Sequence, residues 1–294
     1  MSAVFEAHQL SKRFGAVTAL DRISLTIPEH AIVGLIGPNG SGKTTLLHHV
    51  TGLYLPSQGS CSTFGTPGGR LGRAELTRMG VVQQQGRFLE WMTVRQQLRY
   101  VSSFYPTWDR TLQERLVGDL DLDLGARVVN LSPGNAQKLS LLLAVCHRPD
   151  LLLLDEPVSA LDPLARNQLF QFLFELLSDR SMTILVSSHV LRDIERLVDR
   201  IVCLAAGHLQ AEAPLDQLQE RYAEWHLTSS SELPKVFQEP YVLQQEVNRH
   251  EARLIVRDAH SLLAEFAALH QVEVASRPLN LEAIYPFLVQ EGRP

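Results

Sequence analysis

Gly37-Pro38-Asn39-Gly40-Ser41-Gly42-Lys43-Thr44-Thr45 is the stretch that decides how this chain folds. An apolar run, Ala31-Ile32-Val33-Gly34-Leu35-Ile36, precedes it and predicts a buried strand, and Leu46-Leu47-His48-His49-Val50 after it predicts a helix. Strand, glycine-rich turn and helix in that order are the context of a phosphate-binding loop. Gly37, Gly40 and Gly42 permit backbone angles that side chains forbid, so successive N–H groups turn inward around an anion. The helix starting near Gly42 adds unpaired N–H groups and the positive end of its dipole. Lys43 brings a point charge to the β/γ-phosphates of a nucleotide, and the Thr44 hydroxyl suits Mg2+. An ordinary turn before a helix is the alternative, but a chance match to the whole pattern is rare at ordinary glycine content.

Bulk properties set the frame. A chain of 294 residues holds one large domain and a small one, or two modest ones. It is 45% hydrophobic and 20% charged with a formal net charge of −5, so no basic excess points to nucleic acid. Apolar runs such as Leu151 to Leu154 are far too short to cross a bilayer, and the start Met1-Ser2-Ala3-Val4-Phe5-Glu6 does not have the pattern of a signal peptide. Cys61, Cys146 and Cys203 lie far apart and make neither a disulfide framework nor a metal pattern; they read as packing residues in a reducing compartment.

Along the chain, residues 3 to 30 predict short strands joined by a turn, at Val4 to Ala7, Ala19 to Leu20 and Ile23 to Ile27, ended by Pro28. Pro56 to Arg73 predicts loops around a short strand at Ser60 to Phe64. From Thr93 to His147 the spacing is helical, with Leu98, Val101 and Phe104 and then Leu112, Leu116 and Leu120. Strands return at Leu151 to Leu154 and Thr183 to Val186 around an amphipathic helix at Leu164 to Leu177, followed by a closing hairpin at Ile201 to Leu204 and Leu209 to Ala211. This alternation predicts a mainly parallel sheet covered by helices. Composition shifts after Pro214. Residues 215 to 294 predict a strand (Trp225 to Thr228), a short helix (Leu233 to Phe237) and a hairpin (Val242 to Val247, Ala252 to Arg257). A helix (Ser261 to Leu269), a strand (Val272 to Ala275) and a final helix (Leu281 to Val289) follow, in the order of a small split βαβ sandwich.

Three further pieces carry chemistry. Leu151-Leu152-Leu153-Leu154-Asp155-Glu156 puts two carboxylates at the C-terminal end of a buried strand, where parallel sheets collect ligands. Asp155 can hold Mg2+ through water, and Glu156 can take a proton from water attacking a γ-phosphate. Asp-Glu-Pro also ends strands for purely structural reasons; beside the glycine-rich loop the active reading is preferred. Ser187-Ser188-His189 follows the next strand, and His189 can hydrogen-bond phosphate oxygens and the attacking water, although a histidine at a strand end is as readily structural. In Leu131-Ser132-Pro133-Gly134-Asn135, Ser132 is a good N-cap and Pro133 suits the first helical turn. Such a capped helix start is also an anion site, here for a phosphate held mainly by another subunit.

With these motifs in this order, roughly the first 210 residues resemble the nucleotide-binding subunit of ABC transporters, and specifically the bacterial exporter-type (ABC-2-like) subfamily. GPNGSGKTT looks like its Walker A motif, LLLLDEP like Walker B, LSPGN occupies the signature position, and His189 looks like the switch histidine. Ser159-Ala160-Leu161-Asp162 looks like the D-loop, which makes Asp162 a nucleotide-site residue by resemblance. Gln84 falls at the Q-loop glutamine, implied to touch Mg2+ and the catalytic water; Gln83 and Gln85 leave that register open. Phe14 matches the aromatic that stacks on adenine, with Phe where Tyr is usual. Phe88-Leu89-Glu90-Trp91-Met92-Thr93 falls where a docking groove for the membrane partner begins, and serves equally as helical core. Tyr105-Pro106-Thr107-Trp108-Asp109 and the closing Leu281-to-Tyr285 helix carry the exporter-type likeness.

The resemblance implies an α/β P-loop NTPase fold: a mainly parallel core sheet, an antiparallel N-terminal β part and a helical subdomain at about 88–147 within an ATP-binding domain of residues 1–214. A small α+β accessory domain occupies 215–294. It implies an Mg-dependent ATPase, with ATP and Mg2+ as cofactors, working head to tail with a second ATP-binding subunit, the same chain or a different one. The implied partner is a polytopic membrane permease, the implied place the cytoplasmic face of the cell membrane, and the implied direction export. The family signature is commonly LSGGQ; Pro133 has no backbone N–H, and losing one charge-assisted donor costs about 1.5–3 kcal/mol of grip. Ser132, Gly134, Glu156 and His189 remain, which favours a working ATPase. Two alternatives stand beside it: a soluble regulatory ATPase of this type acting on a non-membrane partner, and a catalytically weak member of an asymmetric pair.

Overall fold

The computed structural model describes residues 2–84, 88–158, 161, 163–177 and 182–291. Its centre is a six-stranded sheet built from β3 (Ile32–Ile36), β6 (Met79–Val82), β7 (Leu151–Asp155), β8 (Thr183–Ser188), β9 (Arg200–Ala205) and β10 (His208–Pro214), in the order β10-β9-β3-β8-β7-β6. All neighbours are parallel except the β9–β10 hairpin. Strands buried on both faces read as unbroken apolar runs. Leu151 and Leu153 point to one face, into a core shared with Leu46, Leu47 and Val50 of α1 (Lys43–Val50). Leu152 and Leu154 point to the other, toward Leu139 and Leu142 of α5 (Pro133–Val145). Gly80 of β6 allows that second contact: a Cβ there would lie 2.1 Å from the Ala144 carbonyl oxygen.

An antiparallel sheet of β1 (Ala3–Phe14), β2 (Val17–Pro28), β4 (Gln58–Thr63) and β5 (Thr66–Pro67) covers the α1 side. Here the short strands expected from the pattern are one long hairpin. Register shifts between Ala7 and Lys12, with Gln9 at φ 48° and Arg22 at φ 51°, break the alternation that would have marked a continuous strand. A four-residue helix, α2 (Arg73–Leu76), begins where the expected loop stretch ends.

The helical segment contains α3 (Val94–Ser102), α4 (Arg110–Asp119) and α5. Each start is capped by its own sequence: Thr93 and Gln96 form a reciprocal box, the Asp109 carboxylate accepts from Leu112 N at 2.8 Å, and Ser132 Oγ accepts from Asn135 N at 3.2 Å. Then α6 (Pro163–Leu177) links β7 to β8, and α7 (Leu191–Glu195) links β8 to β9.

Beyond Pro214 come α8 (Leu215–Arg221), β11 (Tyr222–Thr228), β12 (Val242–Val247), β13 (Glu251–Arg257), α9 (Leu263–His270), β14 (Glu273–Pro278) and α10 (Leu281–Glu291). The sheet order is β12-β13-β11-β14 with every neighbour antiparallel, so β13 and β14 are parallel with β11 between them, the split arrangement. The helix expected at Leu233 to Phe237 does not form. Pro234 disfavours helix at the residue before it, Leu233 N–H donates to the Arg249 carbonyl at 2.8 Å, and Gln245 closes both polar groups of Phe237. The last helix returns to the large unit, packing on α7, β9 and β10 with Leu281, Ile284 and Leu288 buried.

The three cysteines are free and buried, and burial pushes the Cys146 and Cys203 thiols up to about 12. Two histidines are buried as well. His147 Nε2–H donates to the Met79 carbonyl at 3.0 Å with its ring stacked on Tyr105, and His49 Nδ1 pairs with the Thr45 carbonyl at 2.7 Å. Burial is the main cause that depresses both imidazoles below their ordinary range. Above about pH 6.5 they are neutral folded or unfolded and cost nothing; below it only the unfolded chain takes up the protons. Stability in urea melts should therefore fall as pH drops below 6.5, by about 1.4 kcal/mol per unit of depression for each residue, and His147→Gln should flatten that slope.

Candidate functional site

The site lies at the C-terminal edge of the parallel strands. Register sets Ile36 of β3 beside Ser188 of β8, and Asp155 of β7 beside Ser187, so the loops leaving these strands start at one level. The loop after β3 is forced by its glycines: Gly37 sits at φ 153° and Gly42 at φ 105°. A Cβ on Gly37 would stand 2.1 Å from the Leu204 carbonyl oxygen, so the loop lies flat on β9 only because glycine is there.

A cavity of about 410 Å³ opens above this loop. Asn39, Gly40, Gly42, Lys43, Thr44 and Thr45 of the loop line it together with Gln84, Glu156, His189 and Ala19. Lys43 is only 6% exposed and donates to the carbonyls of Gly37 at 2.8 Å and Pro38 at 3.1 Å. Burial pushes its ammonium below the ordinary range, and the facing Glu156 and Asp155 carboxylates partly offset this. Ser41 lies behind the loop, buried, its Oγ without a hydrogen-bond partner.

The two acids are buried and differently held. Asp155 accepts from Thr44 Oγ1 at 2.8 Å on one oxygen and from Ser187 Oγ at 2.6 Å on the other. Glu156 has a left-handed backbone, φ 50°, and its Oε2 lies 2.7 Å from His189 Nδ1. This cluster can grip a polyphosphate, offer oxygen donors to a hard cation and move a proton. Among the described residues no group of three or more His, Cys, Asp and Glu side chains could hold a metal. Of the residues expected to hold a cation, Thr44 and Gln84 line the cavity, whereas Asp155 does not and is tied to it through the hydrogen bond from Thr44 Oγ1.

Other expected residues lie elsewhere. Ser132 is exposed and Gly134 half-exposed at the start of α5, and neither lines the cavity. Phe14 ends β1, 43% exposed, with its ring edge-on to Tyr54 at 5.2 Å and Lys12 Nζ 5.1 Å from its centroid. Asp162, Ser159, Ala160 and Gln85 lie outside the described residues. Sequence reasoning assigned nothing to Ser187, because a serine ending an apolar strand carries no signal until the register sets it beside Asp155.

Comparison with known proteins identifies the family. The family model described as ABC transporter matches residues 20–159. The chain is 30% identical over 246 residues to the bacitracin transport ATP-binding protein BcrA of Enterococcus faecalis, covering 82% of this chain and 80% of that one. It is 30% identical over 296 residues to the Nod factor export ATP-binding protein I of Rhizobium meliloti, covering 97% and 87%. Among solved structures, an ATP-binding subunit of an ABC transporter superposes with a TM-score of 0.67 at 28% identity, covering 74% of this chain and 92% of that one. A bacterial ABC transporter cassette solved as a dimer shares the fold, with a TM-score of 0.65 at 24% identity over 72% and 98%.

Replacing Lys43 removes the one loop cation that the cradle buries. Lys43→Ala should weaken nucleotide affinity at least about tenfold in a fluorescent-nucleotide titration, since charge-assisted contacts contribute about 1.5–3 kcal/mol. Because the Gly37 carbonyl is buried and Asp155 and Glu156 lose the charge that faces them, the melting temperature should fall as well, and affinity is compared at a temperature where both proteins are folded.

Proposed function

The chain belongs to the ABC transporter family as an ATP-binding and ATP-hydrolysing subunit, and we propose that it drives export through a separate membrane-spanning chain by pairing head to tail with a second such subunit. One observation carries the proposal. A single cavity gathers Lys43, Thr44, Gln84, Glu156 and His189, while the capped helix start at Ser132 lies outside it and exposed. A phosphate clasped by one copy's loop then meets the Ser132 hydroxyl and the Gly134 N–H of another.

In this reading the loop N–H groups and Lys43 hold the β/γ-phosphates, and Phe14 offers a ring face to adenine. Thr44, Gln84 and Asp155 would hold Mg2+, which, when bound, neutralises charge on the phosphate oxygens. Glu156 takes the proton of the attacking water. His189 keeps that carboxylate aimed through Nδ1 and leaves Nε2 for the water or a phosphate oxygen. Closing of the pair around ATP and its reopening on product release then reorient the membrane chain.

The relatives are named for bacitracin transport and Nod factor export, and export is carried to this chain from them. Among the described residues no helix is long and apolar enough to cross a membrane, so attachment to the inner face of the cell membrane is assigned to a partner. We place its docking at an apolar groove of about 630 Å³ lined by Leu53, Leu55, Leu71, Leu76, Val81 and Gln83. Leu53 is 62% exposed there, Gln83 adjoins the cavity residue Gln84, and Trp91, in the stretch expected at the docking surface, is 69% exposed.

Glu156→Gln should lower ATP turnover by about 10²–10⁴-fold, the range of a lost general base. ATP affinity should persist, and a size-exclusion run with ATP should show the pair accumulating; unchanged turnover would remove Glu156 from its role. Leu53→Glu should abolish co-purification of the chain with its polytopic partner from detergent-extracted membranes while the protein still melts cooperatively.

A further inference from the structure

We infer that Ser187 is a positioning residue for hydrolysis: one hydroxyl fixes the Asp155 carboxylate and the Glu156 backbone together, so that the metal side and the base side of the site hold a single geometry. The inference rests on the ATPase reading of the cavity.

Ser187 is 0% exposed and lies directly beside Asp155 in the β7–β8 register. Packing does not call for a hydroxyl there. The three residues just before it, Ile184, Leu185 and Val186, are apolar and buried, while the other buried hydroxyls of β8, Thr183 and Ser188, accept from the backbone N–H groups of His30 and Val190 and leave the acids to Ser187. Ser187 Oγ donates to Asp155 Oδ1 at 2.6 Å and accepts from Glu156 N–H at 3.0 Å. The same N–H reaches the Ser187 carbonyl at only 3.2 Å, so the hydroxyl is its shorter partner. With Thr44 Oγ1 on Asp155 Oδ2, both oxygens of that carboxylate are held from opposite sides.

The consequence reaches the base through the backbone. Glu156 occupies the left-handed region, which a residue with a side chain enters only when its surroundings hold it there. Its N–H is fixed by Ser187, and from this conformation its Oε2 meets His189 Nδ1 at 2.7 Å. Removing the hydroxyl leaves a buried Asp155 oxygen short of a donor and takes the shorter brace from the Glu156 amide. Asp155 can then rotate and Glu156 relax, although neither residue has been touched.

The test compares Ser187→Ala and Ser187→Thr with wild type and Glu156→Gln. It measures ATP turnover and equilibrium binding of a fluorescent ATP analogue with and without Mg2+. Without Mg2+, Ser187→Ala should bind the analogue as wild type does, because the loop and Lys43 make that grip. The gain in affinity on adding Mg2+ should shrink severalfold, and kcat should fall about tenfold or more with little change in KM, the size expected for losing a hydrogen bond to a charged group. Ser187→Thr, which keeps the hydroxyl, should recover both. Wild-type values for Ser187→Ala, or equal losses in both variants, would overturn the inference. If Ser187→Ala has no cooperative melt, Ser187→Cys takes its place with the same expectations, its thiol filling the space as a weak donor. A wild type without turnover sinks the ATPase reading itself; an active wild type beside a fully active Ser187→Ala sinks only the role of Ser187.

Discussion

A cation buried over two backbone carbonyls is the constraint on which the rest of this molecule depends. Lys43 has given up most of its water, and Gly37 and Pro38 return only two dipoles for it. Such a charge persists when opposite charge faces it. Asp155 and Glu156 do so from the next strand end but one in the sheet, and their attraction opposes the burial that lowers the Lys43 pKa. The cradle, the acids and the strand register are therefore one electrostatic arrangement. Moving any strand end by one residue would turn the side chains it carries to the other face of the sheet.

Under the proposed mechanism the acids would divide the work by how they are held. Asp155 has both oxygens occupied by hydroxyls from two different elements and is fixed in orientation. Glu156 is held by its backbone and by one ring nitrogen of a half-exposed histidine, and it lines the cavity while remaining buried. Two adjacent residues thus acquire different surroundings from a single β-strand end and a left-handed turn. That separation is what an acid beside a cation and an acid acting as a base require.

How much of this was legible depends on range. The loop could be read because its chemistry is local: glycines at fixed offsets, a strand before and a helix after, and Lys43 and Thr44 within the same turn. The acids at the end of β7 were legible for the same reason. Ser187 was not, because its role exists only through a strand pairing thirty-two residues away in sequence. The long N-terminal hairpin was hidden by bulges that put Val4 and Phe5, and again Leu10 and Ser11, side by side in the core, so period-two counting broke the strand. Leu233 to Phe237 misled in the opposite direction. Two buried apolar residues four apart look helical, yet here they hold a loop under the C-terminal sheet. The return of α10 to α7 and β9 is also a matter of tertiary packing, which its amphipathic pattern could not direct to either unit.

The start of α5 (Pro133–Val145) carries the other half of the proposed site. Pro133 at the first position of α5 looks like a defect, since it removes one N–H from a helix start proposed to grip phosphate. That N–H is one of the groups a helix cannot pair internally, and the fixed φ of proline preorganises the turn around it. Ser132 Oγ already accepts from Asn135 N, so its own proton is the part left to donate outward, beside the N–H of Gly134. Under the proposed pairing the phosphate would lose one backbone donor but meet a stiffer helix start, fixed by its Ser132 cap and by the proline ring. Rigidity of this kind helps most where charge develops during the reaction, because donors already in place need not reorganise. Under that pairing the departure from the common signature would alter how the second half of the site grips, while Lys43 and Glu156 stay in one chain's own cavity.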